Sequence, residues 1–156
     1  HLLYCSWENR DSLLVEKSTV QNDLLNNYKA MARFGLGRDT SPFFVPPFEW
    51  YNQTISRWAG ELGCLIINFT PGTGSNADYT TPDMKTYRSS EEILSSIRRY
   101  ESSHTAGLNG FLLLLHMGTA PERSDKLYNH LGDLIDWLQH SGYHLKRVDE
   151  LLVKSR

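Results

Sequence analysis

Phe111-Leu112-Leu113-Leu114-Leu115-His116 is the stretch on which the reading of the fold turns. A continuous apolar run without alternation is what a strand covered on both faces requires, as in a parallel sheet wrapped by helices. Runs of the same kind occur at Phe43-Phe44-Val45, at Cys64-Leu65-Ile66-Ile67 and, more weakly, at Tyr143-His144-Leu145. Helical signals lie between them. Ser18-Thr19-Val20-Gln21 reads as a capping box ahead of Leu24, Leu25, Tyr28, Met31 and Ala32, with Gly35 and Gly37 as the stop. Asn52 opens a helix carrying Ile55, Trp58, Ala59 and Leu62, closed by Gly63. Ser89-Ser90-Glu91-Glu92 is another capping box, ahead of Ile93, Leu94, Ile97 and Tyr100. A last helix is expected over residues 124–139, with Leu127, Tyr128, Leu131, Leu134, Ile135 and Leu138 on one face and Gly142 at its end. Helices alternating with strands in this order define an α/β architecture, parallel strands with outer helices.

The composition fits such a domain. Of 156 residues, 40% are hydrophobic and 12% aromatic, enough apolar surface for a core. Sixteen Lys and Arg against eighteen Asp and Glu give a net charge of −2, with no long run of either sign. That balance argues against a nucleic acid or an anionic membrane as a partner held mainly by charge. The apolar runs are far short of the ~20 residues that span a bilayer, and no signal-peptide pattern is present. Cys5 and Cys64 lack the CxxC spacing; one bridge and two thiols are both compatible with the sequence.

Most candidate motifs have a plain explanation. Pro71-Gly72-Thr73-Gly74-Ser75, in a polar loop over residues 70–81, lacks the Lys-Ser/Thr ending of a phosphate cradle, and no helix signal opens directly behind it. There is no Gly-x-Ser-x-Gly elbow. His140 and His144 are separated by the breaker Ser141-Gly142 and read as solvated, as do His104 and His130. Asn52-Gln53-Thr54 and Asn68-Phe69-Thr70 match glycosylation sequons, a short pattern that also arises by chance. Two features are less ordinary. His116 follows the most apolar run, at the strand end that faces the site in α/β barrels; alone it is as readily a structural histidine. In Phe44-Val45-Pro46-Pro47-Phe48, two prolines fix the chain and remove two N–H donors, so the next donor is the Phe48 N–H in a rigid turn. The plainer reading is a stiff strand exit.

Together these segments resemble the polysaccharide deacetylase family, carbohydrate esterase family four, the NodB-homology fold. Phe44-Val45-Pro46-Pro47-Phe48 with Asn52 is similar to the family's Phe-Arg-Pro-Pro-Tyr…Asn motif, and Leu114-Leu115-His116 to its late Leu-x-His motif. The ending Gly142-Tyr143-His144-Leu145…Asp149-Glu150-Leu151-Leu152 is similar to the family's closing stretch. The resemblance implies a distorted (β/α) barrel that removes acetyl groups from N- or O-acetylated poly- or oligosaccharides with a divalent metal, zinc or similar. It implies His116 as general acid, the Phe48 backbone N–H as oxyanion donor, and Leu114 in a pocket for the acetyl methyl. Pro47, Glu49, Trp50 and Asp78 fall at substrate-binding positions; Trp50 and Tyr51 stack on a sugar ring or pack in the core. His1 stands where the second His of the metal motif His-Ser/Thr-x-x-His falls.

Departures accompany the resemblance. Val45 replaces the family's Arg, Glu49 a frequent Gly, and Met117 a polar residue. The early Thr-Phe-Asp-Asp motif is missing, and the Asp-rich motif that orients the catalytic His has only Asp78-Tyr79 as an echo. A complete (β/α) barrel typically needs about 250 residues. The expectation is therefore a single domain over residues 1–156, the carboxyl-terminal part of a truncated deacetylase barrel, inactive by itself and of an exported parent. Two alternatives stand beside it: a non-catalytic carbohydrate-binding or scaffold module, and a glycoside hydrolase using Glu49 and Asp78.

Overall fold

Three sequence signals become helix boundaries in the computed structural model, which describes residues 2–153. Helix α1 (Lys17–Ala32) ends at Gly35, whose φ of 74° lets the Leu36 N–H return to the Met31 carbonyl. Its start differs from the expected box: Glu16 is the cap residue, and no side chain caps the helix. Helix α2 (Gln53–Glu61) is capped by Asn52, whose side chain accepts from the Ile55 N–H at 3.0 Å. Helix α3 (Ser90–Ser103) carries the capping box in full, Ser89 and Glu92 each accepting from the other's N–H.

The chain forms two compact units. The first comprises the residues up to Asn68 together with those from Val148 on; the second is Phe69–Arg147. In the first, strands β1 (Phe43–Phe44) and β2 (Leu65–Ile66) pair in parallel, Phe43 beside Leu65 and Phe44 beside Ile66. Helices α1 and α2 pack over a core of Tyr4, Val20, Leu24, Ile55, Ala59 and Cys64. Val20 and Leu24 are four residues apart on one helix, Ile55 and Ala59 on the other, the spacing that brings side chains onto one face. Cys5 and Cys64 are both buried free thiols, and burial pushes the Cys5 thiol upward against the lowering effect of Arg10. The short helix α5 (Val148–Val153) belongs to this unit.

The second unit is built on α3 and α4 (Leu131–His140), around Ile93, Ile97, Leu108, Leu127, Leu134 and Leu138. The helix expected from residue 124 is shorter: Leu127–His130 is a 3-10 turn leading into α4. Gly142, at φ 89°, closes it, with the Tyr143 N–H reaching the Leu138 carbonyl. The deciding run corrects the strand expectation. Phe111–Leu115 makes no ladder, and all five residues are half-buried rather than covered on both faces. Its tie is to Thr70: the Thr70 N–H donates to the Leu112 carbonyl at 2.9 Å, but the Leu112 N–H goes to the Thr70 hydroxyl at 3.1 Å. A hydroxyl in place of a carbonyl ends the ladder after one rung. Residues 143–145 likewise form no strand. Among the described residues the architecture is thus mixed, helices with one short parallel pair. Among the described residues no helix is long and apolar enough to cross a membrane.

Asp125 anchors the start of α3, accepting from the Ser90 N–H at 2.5 Å. Burial alone raises its pKa, but the Ser90 N–H and hydroxyl, with Arg123 and His130, outweigh that and hold it below the usual carboxylate value. A depressed carboxyl stabilises fully above the unfolded value of about 3.9, and the contribution is lost as pH falls through the folded value. Asp125→Asn should therefore cost ~1 kcal/mol at pH 7, a figure kept small because the side chain is 34% exposed. Urea midpoints at pH 7 and pH 3 check it: the gap between variant and wild type should narrow at pH 3.

Candidate functional site

Loop 70–81 places an acid on a histidine. Gly72 has φ 124°, and a Cβ there would sit 2.4 Å from the Tyr100 ring, so the chain crosses the face of α3 only as glycine. Gly74, at φ 69°, then turns into a 3-10 helix over Ser75–Tyr79. The glycines of this loop thus have a steric explanation that needs no phosphate. The turn buries Asp78 to 1% exposure. His116 donates to it twice: its Nδ1–H to Oδ1 at 2.6 Å and its backbone N–H to Oδ2 at 2.7 Å. The imidazole keeps 32% of its side-chain surface exposed, and the Tyr79 ring stands edge-on to it at 5.5 Å. The bond from Nδ1 fixes the orientation of the ring. Leu114, two residues earlier, is half-buried in the same unit.

Arg123 holds the far side of this loop. It is fully buried, and its guanidinium donates to the Thr80 carbonyl at 2.7 Å and the Arg88 carbonyl at 3.0 Å. The carboxylate of Asp125 lies 3.7 Å away. Nothing in the polar sequence around residue 123 signals this role; a lone arginine after a proline reads as solvated until the carbonyls it serves are seen.

In the first unit, Pro46 is buried, Pro47 half-buried, and Phe48 and Glu49 both lie in the left-handed region, at φ 60° and 53°. Two consecutive non-glycine residues there store of order 1–3 kcal/mol each. The Glu49 N–H donates back to the Pro46 carbonyl at 2.9 Å, and the Glu49 carbonyl accepts from the Asn68 side chain at 3.0 Å. Trp50 is half-buried: its indole N–H donates to the Ser6 carbonyl at 3.1 Å, and Arg10 lies 4.1 Å over its ring. Asn52 uses both ends of its amide, capping α2 while its NH2 donates to the Arg10 carbonyl at 2.8 Å. Pro47, Phe48, Glu49 and Trp50 therefore belong to one turn, and Asp78, Leu114 and His116 to the other unit. His1 lies outside the described residues.

Among the described residues, no group of three or more His, Cys, Asp or Glu side chains is placed to hold a metal ion. Both oxygens of Asp78 are taken by His116, a donor set that suits an orienting pair rather than a metal ligand. The described residues thus do not fit the divalent centre that the resemblance implies, and no chemical step below passes through one. No family model matches the chain, and no curated protein matches it.

The double use of Asn52 predicts a split between variants. Asn52→Asp should retain the α2 cap but put a carboxylate against the Arg10 carbonyl, costing roughly 1–3 kcal/mol. Asn52→Ser should keep the cap and lose only the donor, at about half that cost. Thermal denaturation of both variants checks the order.

Proposed function

We propose that the chain is the carboxyl-terminal part of a distorted (β/α) barrel of the polysaccharide deacetylase type, inactive by itself, whose parent protein hydrolyses acetyl groups from acetylated poly- or oligosaccharides. The observation that carries the reading is the Asp78–His116 pair: a buried carboxylate on Nδ1 of an imidazole that remains partly exposed. That arrangement suits a general acid. Asp78 fixes the ring and its tautomer, and positive charge on the ring is stabilised without Asp78 moving. Water adds to the acetyl carbonyl carbon and gives up a proton to the base carboxylate that the resemblance places in the Thr-Phe-Asp-Asp motif missing here. The bond to the sugar nitrogen breaks, His116 gives its proton to the leaving amine, and acetate and the free amine depart. The resemblance assigns the Phe48 backbone N–H as the donor to the developing oxyanion. Leu114 contributes apolar surface for the acetyl methyl. The resemblance assigns His1 to the divalent metal of this reading.

A second reading, a non-catalytic carbohydrate-binding or scaffold module, is favoured by Val45, which is 42% exposed at the position of the family's arginine. The commitment of both Asp78 oxygens to His116 favours an orienting role over that of a glycosidase carboxylate.

Acetate release from an acetylated glycan by the parent protein separates these readings. His116→Ala should lower kcat by about 10²–10⁴ with little change in KM, and Asp78→Asn by a similar factor. Full activity in His116→Ala sinks the mechanism, absence of acetate with retained glycan binding supports the module, and new reducing ends indicate a glycosidase.

A further inference from the structure

The turn over Ser6–Ser12 shows an aromatic ring to solvent amid planar polar groups. It is closed by the Ser6 N–H to the Ser12 carbonyl and the Ser12 N–H to the Asn9 carbonyl, both 2.9 Å. Trp7, at its tip, is 56% exposed. Behind it stands Trp50, ring centroids 5.1 Å apart, and beside it Phe48, 5.8 Å away at 72° and itself 44% exposed. Arg10 is stacked on Trp50, and Glu8, Asn9, Arg10 and Asp11 are all exposed around the tip. Trp50 is thus held by Arg10, Trp7 and the Ser6 carbonyl, and Trp7 is the ring offered outward.

We infer that Trp7 is the floor of a sugar-binding subsite, flanked by the Phe48 ring and rimmed by Glu8, Asn9, Arg10 and Asp11. A pyranose has a face of C–H bonds, slightly positive, that complements the negative face of an indole. Its hydroxyls, at the ring edge, need donors and acceptors in the plane around that floor. A guanidinium, an amide and two carboxylates supply both. Protein interfaces also combine aromatic residues and arginine with a polar rim, and the self-association arm of the test below separates that occupant from a sugar. The turn is also pre-set: the Glu8 and Asp11 N–H groups donate to Ser6 Oγ and Asn9 Oδ1, both at 3.1 Å, and Asn52 holds the Arg10 carbonyl. Little ordering remains for binding to complete.

The subsite rests on the carbohydrate reading above and is tested apart from it. Calorimetric titration of the full chain with N-acetylglucosamine oligomers of one, two and four units measures affinity, and acetate is assayed in the same samples. Affinity should rise with length, and Trp7→Ala should weaken the tetramer by about 3- to 10-fold. Trp7→Tyr, which retains a ring and controls for folding, should lose far less. Equal affinity in wild type and Trp7→Ala overturns the subsite, even where acetate is released. Binding that depends on Trp7 without acetate release upholds the subsite, since the deacetylase reading is judged on the parent protein and not on this chain. No binding by the wild type, or self-association that Trp7→Ala abolishes, overturns it as well.

Discussion

A carboxylate withdrawn from water must be matched by donors, and Asp78 is matched by one residue through two of its groups. Because a backbone N–H and a ring N–H of His116 converge on it, the residue is fixed both in chain position and in ring angle. Much of the second unit follows from delivering that carboxylate. Gly72 and Gly74 bend the loop across α3, Thr80 and Arg88 give their carbonyls to Arg123, and Asp125 ties the arginine's neighbourhood to the start of α3. The loop is polar and the helices apolar, yet one cannot be placed without the other.

The first unit solves a different problem. Its parallel pair is only two residues per strand, too short to organise a sheet. Cohesion comes instead from helix packing and from side chains that serve two backbones at once. Asn52 joins the start of α2 to the Arg10 carbonyl, Trp50 reaches the Ser6 carbonyl, and the Tyr28 hydroxyl donates to the Ser41 carbonyl at 3.0 Å. The Tyr28 hydroxyl also lies 3.6 Å from Cys64, and burial with that contact pushes its pKa up to about 12.

Much of the helical frame was legible in the residues, because capping chemistry and glycine stops act locally. Ser89, Asn52, Gly35, Gly63 and Gly142 each sit where the sequence puts them. The failures have a common cause. Phe111–Leu115 has the apolar content of a buried strand, but pairing is decided by the neighbour, and Thr70 offers a hydroxyl where a carbonyl was needed. The Ser18 box has the right letters two residues too late, since Glu16 is the cap and the helix has already begun at Lys17. His116 stood out from its place in the chain and Asp78 as an echo of the orienting motif, whereas the two hydrogen bonds between them, across 38 residues, follow from the path of loop 70–81. Arg123, Trp7 and Arg10 carried no local signal at all, their roles resting on partners distant in sequence.

The two left-handed residues at Phe48 and Glu49 bear on how this sequence drifts over generations. Selection for folding alone favours glycine or asparagine at such positions, because those residues relieve the torsional penalty at no loss of core. A phenylalanine followed by a glutamate is then a state that mutation pressure steadily erodes. Its persistence in a lineage would report selection on what the two side chains do rather than on how the turn folds, and its loss would date the point at which that selection was relaxed.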